Sequence, residues 1–239
     1  MTLVIAHRGA SAYAPENTMP AFELAVQQNA DMIELDVQRS ADGVLIVFHD
    51  TTTERWNHRK QLVKNYQFDE LRMLDINGAR IPTLAEVCAF AREHTLRLNI
   101  ELKGTGMAAA VMQIIRAEKV EDLVLISSFW AEALTELADI APHLPRAYLV
   151  GTRTYRPDIR IQEGWPFPAL KRIRATAWHP AYELPLLRLL VPQVQQRGYQ
   201  VNVWTVNAPA MMRRMVTLGV DGIITDTPDV LRSILREQH

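Results

Sequence analysis

The chain has 239 residues, 48% of them hydrophobic and 22% charged, and its acids and bases nearly cancel at a formal net charge of −1. That balance fits one sizeable core, and so a single domain over residues 1–239, rather than two small ones. No run of Lys or Arg interleaves with aromatics, which excludes the usual footprint of a nucleic-acid or anionic-membrane binder and leaves a small molecule as the expected partner.

The first residues lack the basic start and long apolar stretch of a signal peptide and lead straight into a strand candidate at 3–6. A second β-rich run, 32–37, is followed closely by a third at 44–48. The gap between them is too short for a helical crossover, so the two are expected to form an antiparallel hairpin turning at Asp42-Gly43. A two-residue loop there opposes Asp36 to His49, and a four-residue loop opposes Glu34 to His49; either register sets the imidazole beside a carboxylate. Residues 50–82 are polar, with Trp56, Tyr66, Phe68 and Leu71 but no strand period, and are expected to be an insertion or lid over a site. Thr83 with Glu86 forms a capping box that opens a helix, on which Cys88 shares the apolar spacing of Leu84, Val87 and Ala91 and is expected in the core. A single cysteine excludes a disulfide framework and suits a reducing cytoplasm.

Further strand candidates follow at 96–102, 123–127, 146–150, 175–178, 199–205 and 222–225, each trailed by a helical pattern, the last one opening at Thr227 before Pro228. The apolar stretch around Leu184 to Val194 is broken by Arg188 and Pro192 and is too short to span a bilayer, so no membrane insertion is expected. Eight strand and helix units in a chain of this length predict a (β/α)8 TIM barrel, a fold of typically ~250 residues, with the small insertion after the second strand and its hairpin. A doubly wound open sheet competes less well, because no glycine-rich dinucleotide loop follows any strand.

Glu34 and Asp36 lie two apart in Ile33-Glu34-Leu35-Asp36-Val37 and therefore share a face, inward if the apolar residues cover the barrel. Glu101, in Asn99-Ile100-Glu101-Leu102-Lys103, holds the same kind of place at the C-terminal end of the next strand, where barrel active sites lie. Two like charges ~4 Å apart repel by about 4 kcal/mol at an effective dielectric of 20, so three converging acids require compensation. One divalent cation is the natural source; all-oxygen ligands favour Mg²⁺ or Ca²⁺, or Mn²⁺, over Zn²⁺. The alternative is a structural ion-pair network in which Arg8 and Lys103 neutralise the acids.

His7 closes the first strand, and with His49 it would flank the acids as a general acid and base pair. Arg8 suits an anion, and Lys103, on the face of Glu101, adds a second positive charge. Metal, imidazoles and cations together suit a phosphodiester.

His7-Arg8-Gly9, Pro15-Glu16-Asn17-Thr18, Glu34-Leu35-Asp36-Val37, Asp42-Gly43, His49-Asp50, Ile81-Pro82-Thr83-Leu84, Asn99-Ile100-Glu101-Leu102-Lys103, Ser128-Phe129, Trp204-Thr205-Val206-Asn207 and Gly219-Val220-Asp221-Gly222 run in an order and spacing that closely resemble the glycerophosphodiester phosphodiesterases. The resemblance implies a metal-dependent barrel enzyme that hydrolyses deacylated phospholipids, such as glycerophosphocholine or glycerophosphoethanolamine, to glycerol 3-phosphate and an alcohol. It implies that Glu34, Asp36 and Glu101 hold the metal, that His7 and His49 are acid and base, and that a glycerol hydroxyl attacks first to give a cyclic phosphodiester.

Trp204 and Phe129 are read as walls of the substrate pocket or as core aromatics. Glu16 is read as a partner orienting Arg8 or as a first-turn acid favouring a helix dipole, and Asn207, ahead of Ala208-Pro209, as an N-cap in preference to a ligand. The chain departs from the family pattern at Arg55-Trp56-Asn57-His58-Arg59-Lys60, where many relatives are glycine-rich, and Ser40 replaces a common threonine. The competing functions are a lysophospholipase D or phospholipase C chemistry on the same barrel, which apolar residues lining the insertion would favour, and a barrel that binds phosphodiesters without cleaving them.

Overall fold

The eight strand candidates are strands within two residues of the expected bounds. The computed structural model describes residues 2–151 and 165–237. In it, β1 (Leu3–His7) and β2 (Met32–Arg39) are followed by a short β3 (Leu45–Val47), then β4 (Arg97–Leu102), β5 (Val124–Ser128), β6 (Arg146–Val150), β7 (Ala177–Pro180), β8 (Gln200–Val203) and β9 (Gly222–Thr225). From β2 the sheet runs through β4 to β9 in order and returns through β1 to β2, every pair parallel, which closes an eight-stranded barrel. Among the described residues only β3 stands outside it, antiparallel to the end of β2.

Strand alternation builds two kinds of interior. Ile33, Leu35 and Val37 turn outward with Leu98, Ile100 and Leu102 into the main core, against helices that include α1 (Met19–Gln27) and, past the insertion described below, the helix Leu84–His94. Glu34, Asp36, Asn99 and Glu101 occupy the intervening positions. The floor of the barrel is apolar, with Ile5, Met32 and Ile224 in one group and Leu125, Ala147 and Ala177 in another. At this end Asp31 accepts the Val4 amide at 2.7 Å and Asp221 accepts the Val201 amide at 2.8 Å, tying each strand start to the loop that leads into the neighbouring strand. Gly222 is required by packing, since a Cβ there would lie 2.5 Å from Asn202 Oδ1 and 2.9 Å from Ile5 Cδ1.

The hairpin adopts neither expected register. Val37 opposes Val47 and Arg39 opposes Leu45, and the Ser40 amide donates to the Val44 carbonyl, so the loop has three residues, Ala41-Asp42-Gly43, with Gly43 at φ +88°. A left-handed glycine closing a three-residue loop shifts pairing by one position relative to a two-residue turn. Phe48 therefore faces Asp36, to which its amide donates, and His49 lies beyond the strand. The Gln38 Nε2 donates to the carbonyls of Phe48 and Asp50, at 2.7 and 2.9 Å, and clamps the chain on both sides of His49.

Residues 50–82 form a small body of their own, with α2 (Glu54–Asn57) and α3 (Phe68–Arg72). Ile46 and Phe48 pack with Val63, Tyr66, Leu71, Ile76 and Ile81 into a second core beneath it. The capping box at Thr83 and Glu86 is present and opens α4 (Leu84–His94), where Cys88 is fully buried. Thr227 occupies the N-cap position of the last helix, α10 (Pro228–Arg236), but its hydroxyl lies against Thr225 rather than capping; α5 to α9 (Ala108–Glu118, Ala131–Ile140, Phe167–Arg172, Leu187–Gln195 and Pro209–Leu218) complete the described helices. No helix of the described residues is long and apolar enough to cross a membrane.

Candidate active site

The carboxyl ends of the strands open into a cavity of about 660 Å³ whose lining includes His7, Arg8, Glu34, His49, Glu101 and Lys103 on one side and Phe129, Tyr148 and Trp204 on another. Register explains the convergence: Glu34 lies beside His7 across β1 and β2, and Asp36 beside Glu101 across β2 and β4. Oxygens of Glu34, Asp36 and Glu101 all fall within 4.8 Å of one another, and the three side chains are buried.

Charge is unequally shared in this cluster. Asp36 ion-pairs with Lys103 at 3.1 Å and Arg8 at 3.2 Å and accepts from Asn17 Nδ2 at 2.8 Å. Burial alone would raise its pKa, but Lys103 and Arg8 outweigh it and hold the carboxyl at about 2. Lys103 also pairs with Glu101 at 2.9 Å. Glu101 is nonetheless pushed up to about 7 by burial and by the Asp36 charge. Glu34, which accepts the Arg8 amide at 3.0 Å, is raised well above the usual carboxylate range by burial and then by Asp36 and Glu101. Arg8 takes a left-handed backbone at φ 54° with Gly9 at φ 85°, which turns that amide toward Glu34. Three carboxylates against two cationic side chains leave a net negative charge out of water, and only Asp36 is relieved of it. The ion-pair network anticipated for Arg8 and Lys103 thus forms, yet it does not satisfy Glu34 and Glu101, and an all-oxygen donor set of this charge fits a hard divalent cation.

His7 is anchored from the far end of the chain. Its Nδ1 lies 2.6 Å from Asp226 Oδ1, and Ser11 Oγ bridges the His7 carbonyl at 2.7 Å and the same Asp226 oxygen at 2.9 Å. Burial works against ionising Asp226, but the hydrogen bond and charge of His7 together with the hydrogen bonds from Asn207 and Ser11 outweigh it and hold the carboxyl at about 2. His49 Nδ1 faces Asp50 at 3.0 Å, and Asp50 ion-pairs with Arg55 at 2.9 Å. Burial lowers the His49 pKa, Asp36 raises it, and Arg8 and Lys103 add to the lowering. Glu16, His49 and Asp50 also bring ligand atoms together, but Arg55 ion-pairs with both acids and Arg8 with Glu16, so this second cluster is already neutralised.

The residues read from the sequence as catalytic, metal-holding or substrate-binding line this cavity or contact residues that do. Trp204 and Phe129 meet edge to face with ring centroids 5.4 Å apart on its apolar side; Phe129 is a wall residue, while Trp204 both lines the cavity and packs against the Ile5, Met32 and Ile224 group, fixed by its indole donating to the His179 carbonyl. Glu16 pairs with Arg8 at 3.2 Å and lies outside α1, which removes the helix-dipole reading. Asn207 does not cap α9; its side chain binds Asp226. His179 lies under the site, fully buried and held neutral by that burial with its pKa down to about 3, and pairs with Asn202. The sequence reading missed Asp226, Ser11, Asn17 and Gln38. Two signals were available: an acid just past the last strand, in Ile224-Thr225-Asp226, and Asn17 within the Pro15-Glu16-Asn17-Thr18 motif.

Carboxylates, imidazoles and cations gathered where barrel strands end are the arrangement of a barrel enzyme's active site. Residues 7–230 match the model of the glycerophosphoryl diester phosphodiesterase family. A glycerophosphodiester phosphodiesterase of Caldanaerobacter subterraneus subsp. tengcongensis is 36% identical over 99% of this chain and 98% of its own. Among solved structures, a putative glycerophosphoryl diester phosphodiesterase from Silicibacter pomeroyi superposes with a TM-score of 0.91 at 29% identity, covering 100% of this chain and 94% of that one. A phosphodiesterase of Oleispira antarctica, in complex with its product sn-glycerol-3-phosphate, superposes with a TM-score of 0.87 at 28% identity over 99% of this chain and 97% of that one. The chain belongs to the glycerophosphoryl diester phosphodiesterase family, and it is an enzyme of that class.

Proposed function

We propose that this chain, acting as one catalytic unit, hydrolyses glycerophosphocholine, glycerophosphoethanolamine and similar diesters to glycerol 3-phosphate and the free alcohol, by His7 and His49 acid and base catalysis at a divalent-cation site. The observation that carries it is the pair of imidazoles on one cavity, each with Nδ1 turned to its own carboxylate, beside the Glu34, Asp36 and Glu101 cluster. With Nδ1 so engaged, Nε2 is the nitrogen left for substrate in both rings. Arg8 and Lys103 would draw the phosphate to the polar side, and Phe129 and Trp204 would wall the organic part.

The substrate supplies its own nucleophile. One imidazole removes the proton from the glycerol hydroxyl beside the phosphate as that oxygen bonds to phosphorus, and the other gives a proton to the departing alcohol. The cyclic diester is then opened by water with the two roles exchanged. Glu34, Asp36 and Glu101 would hold the cation, which when bound supplies positive charge to the phosphate as its negative charge grows. The residues of the insertion nearest His49 and Lys103 are Thr51, Thr52, Glu54 and Arg55, all polar, while its apolar residues serve its own core. That favours a deacylated substrate over a lysophospholipid. The test is a coupled glycerol 3-phosphate assay across glycerophosphodiesters and lysophosphatidylcholine, with EDTA and then Mg²⁺, Ca²⁺ or Mn²⁺ restored. Turnover of glycerophosphodiesters, lost in EDTA and regained with a cation, is expected; metal-independent turnover or a preference for the lysolipid would overturn the reading.

A further inference from the structure

We propose that Asp226 and Asn207 act together as the positioning pair that sets the tautomer of His7, placing its proton on Nδ1 and leaving Nε2 bare toward the cavity. This rests on the assignment of His7 as an acid and base group.

The hydrogen-bond directions are determined one after another. The Asp226 amide donates to Asn207 Oδ1 at 2.9 Å, and Thr225 Oγ1 donates to the same oxygen at 3.1 Å. Those two donors identify that Asn207 atom as the carbonyl oxygen, so the other, Nδ2, is the donor. It meets Asp226 Oδ2 at 2.5 Å. The opposite carboxylate oxygen is left for His7 Nδ1 and Ser11 Oγ. An ionised carboxylate only accepts, so Nδ1 must carry the proton. His7 arrives from β1 and Asp226 from the end of β9, adjacent strands of the barrel, so closure of the sheet brings together residues 219 apart in sequence.

The same geometry dictates what an amide at position 226 would do. In Asp226→Asn, Asn207 Nδ2 still needs an acceptor, so the new amide turns its oxygen to Asn207 and its NH₂ to His7. Nδ1 then has to accept, the neutral ring is protonated at Nε2, and the nitrogen facing substrate can no longer take a proton. Adding Asn207→Asp reverses the orientation. The carboxylate at 207 accepts the backbone amide, Thr225 and the NH₂ at 226, which frees the amide oxygen at 226 to accept from Nδ1. A purely structural role for this pair has no reason to respond in that way.

The experiment is steady-state turnover of glycerophosphocholine by the Mg²⁺-saturated protein in wild type, His7→Ala, Asp226→Asn and Asp226→Asn with Asn207→Asp, with thermal unfolding to confirm that each folds. Loss of turnover in His7→Ala carries the underlying assignment, and wild-type turnover there overturns that assignment rather than only this one. Asp226→Asn is expected to lower kcat on the order of 10²- to 10⁴-fold with KM little changed, the scale of a wrong catalytic tautomer. The double variant is expected to regain at least about tenfold of that. Wild-type kcat in a folded Asp226→Asn, or a double variant no faster than the single one, overturns the proposal. Ring-nitrogen NMR of the wild type gives a second check that needs no variant at position 226. The His7 signals, identified by their loss in His7→Ala and followed at a pH high enough that the ring carries a single proton, are expected to place that proton on Nδ1, and a single proton on Nε2 overturns the proposal.

Discussion

Without a cation the acid cluster is a source of instability, and Glu101 shows how large. Burial first, and then the Asp36 charge, raise its carboxyl from the usual 4.5 to about 7 despite Lys103. The folded carboxyl thus holds its proton more tightly than the unfolded one. Between about pH 4.5 and pH 7 the folded state binds more protons, so this group's contribution to stability falls as pH rises through that window and is fully lost above it. At 1.36 kcal/mol for each pH unit of displacement the penalty reaches roughly 3 kcal/mol, with little discount for solvent because Glu101 is only 8% exposed. We predict that Glu101→Gln, which keeps the shape and removes the charge, is more stable than wild type by roughly this amount in EDTA at about pH 8, and within about 1 kcal/mol of it near pH 5. The same variant is expected to lose cation-dependent turnover. Urea unfolding of both proteins at the two pH values, with and without Mg²⁺ or Ca²⁺, measures the effect; wild type gains stability from the cation and the variant gains less. A Glu101→Gln protein that is equal to or less stable than wild type in EDTA at the higher pH would refute the idea that the cluster is strained by uncompensated charge.

Three further outcomes are expected. His49→Ala lowers kcat by ~100-fold or more while the fold is retained, the usual scale of general acid and base loss, and wild-type rates in that variant remove His49 from the mechanism. Gly222→Ala pushes a methyl into Asn202 Oδ1 and Ile5 and costs about 1–3 kcal/mol in a chemical denaturation series; an unchanged midpoint would show that the barrel floor yields more easily than its contacts indicate. The Cys88 thiol, fully buried and raised to about 12 by burial and by Glu118, reacts with a thiol reagent only as the protein unfolds, and rapid native-state labelling contradicts its placement.

The parts of the site legible from sequence depend on neighbours a few residues away. Alternation along β2 separates Glu34 and Asp36 from Ile33, Leu35 and Val37, and the capping box at Thr83 needs only Glu86 three residues on. The hairpin shows where such reasoning stops. Asp42-Gly43 marks the turn, but whether two, three or four residues make the loop depends on Gly43 taking φ +88° and on Ile46 and Phe48 finding the core beneath the insertion. One residue of slip turns an expected His49 opposite an acid into a His49 beyond the strand, delivered to the cavity by the Gln38 clamp instead.

By itself, then, the sequence determined which side chains face inward, where the strands and helices begin, and the donor types gathered near the strand ends, because period, capping and turn chemistry are local. Tertiary structure alone decided the allocation of charge and protons: that Arg8 and Lys103 converge on Asp36, with Lys103 shared with Glu101, while Glu34 and Glu101 stay strained, and that His7 meets Asp226 and, through it, Asn207. Those pairings exist only once β9 closes on β1 and water is excluded from the barrel mouth, and burial is what makes each of them energetically decisive.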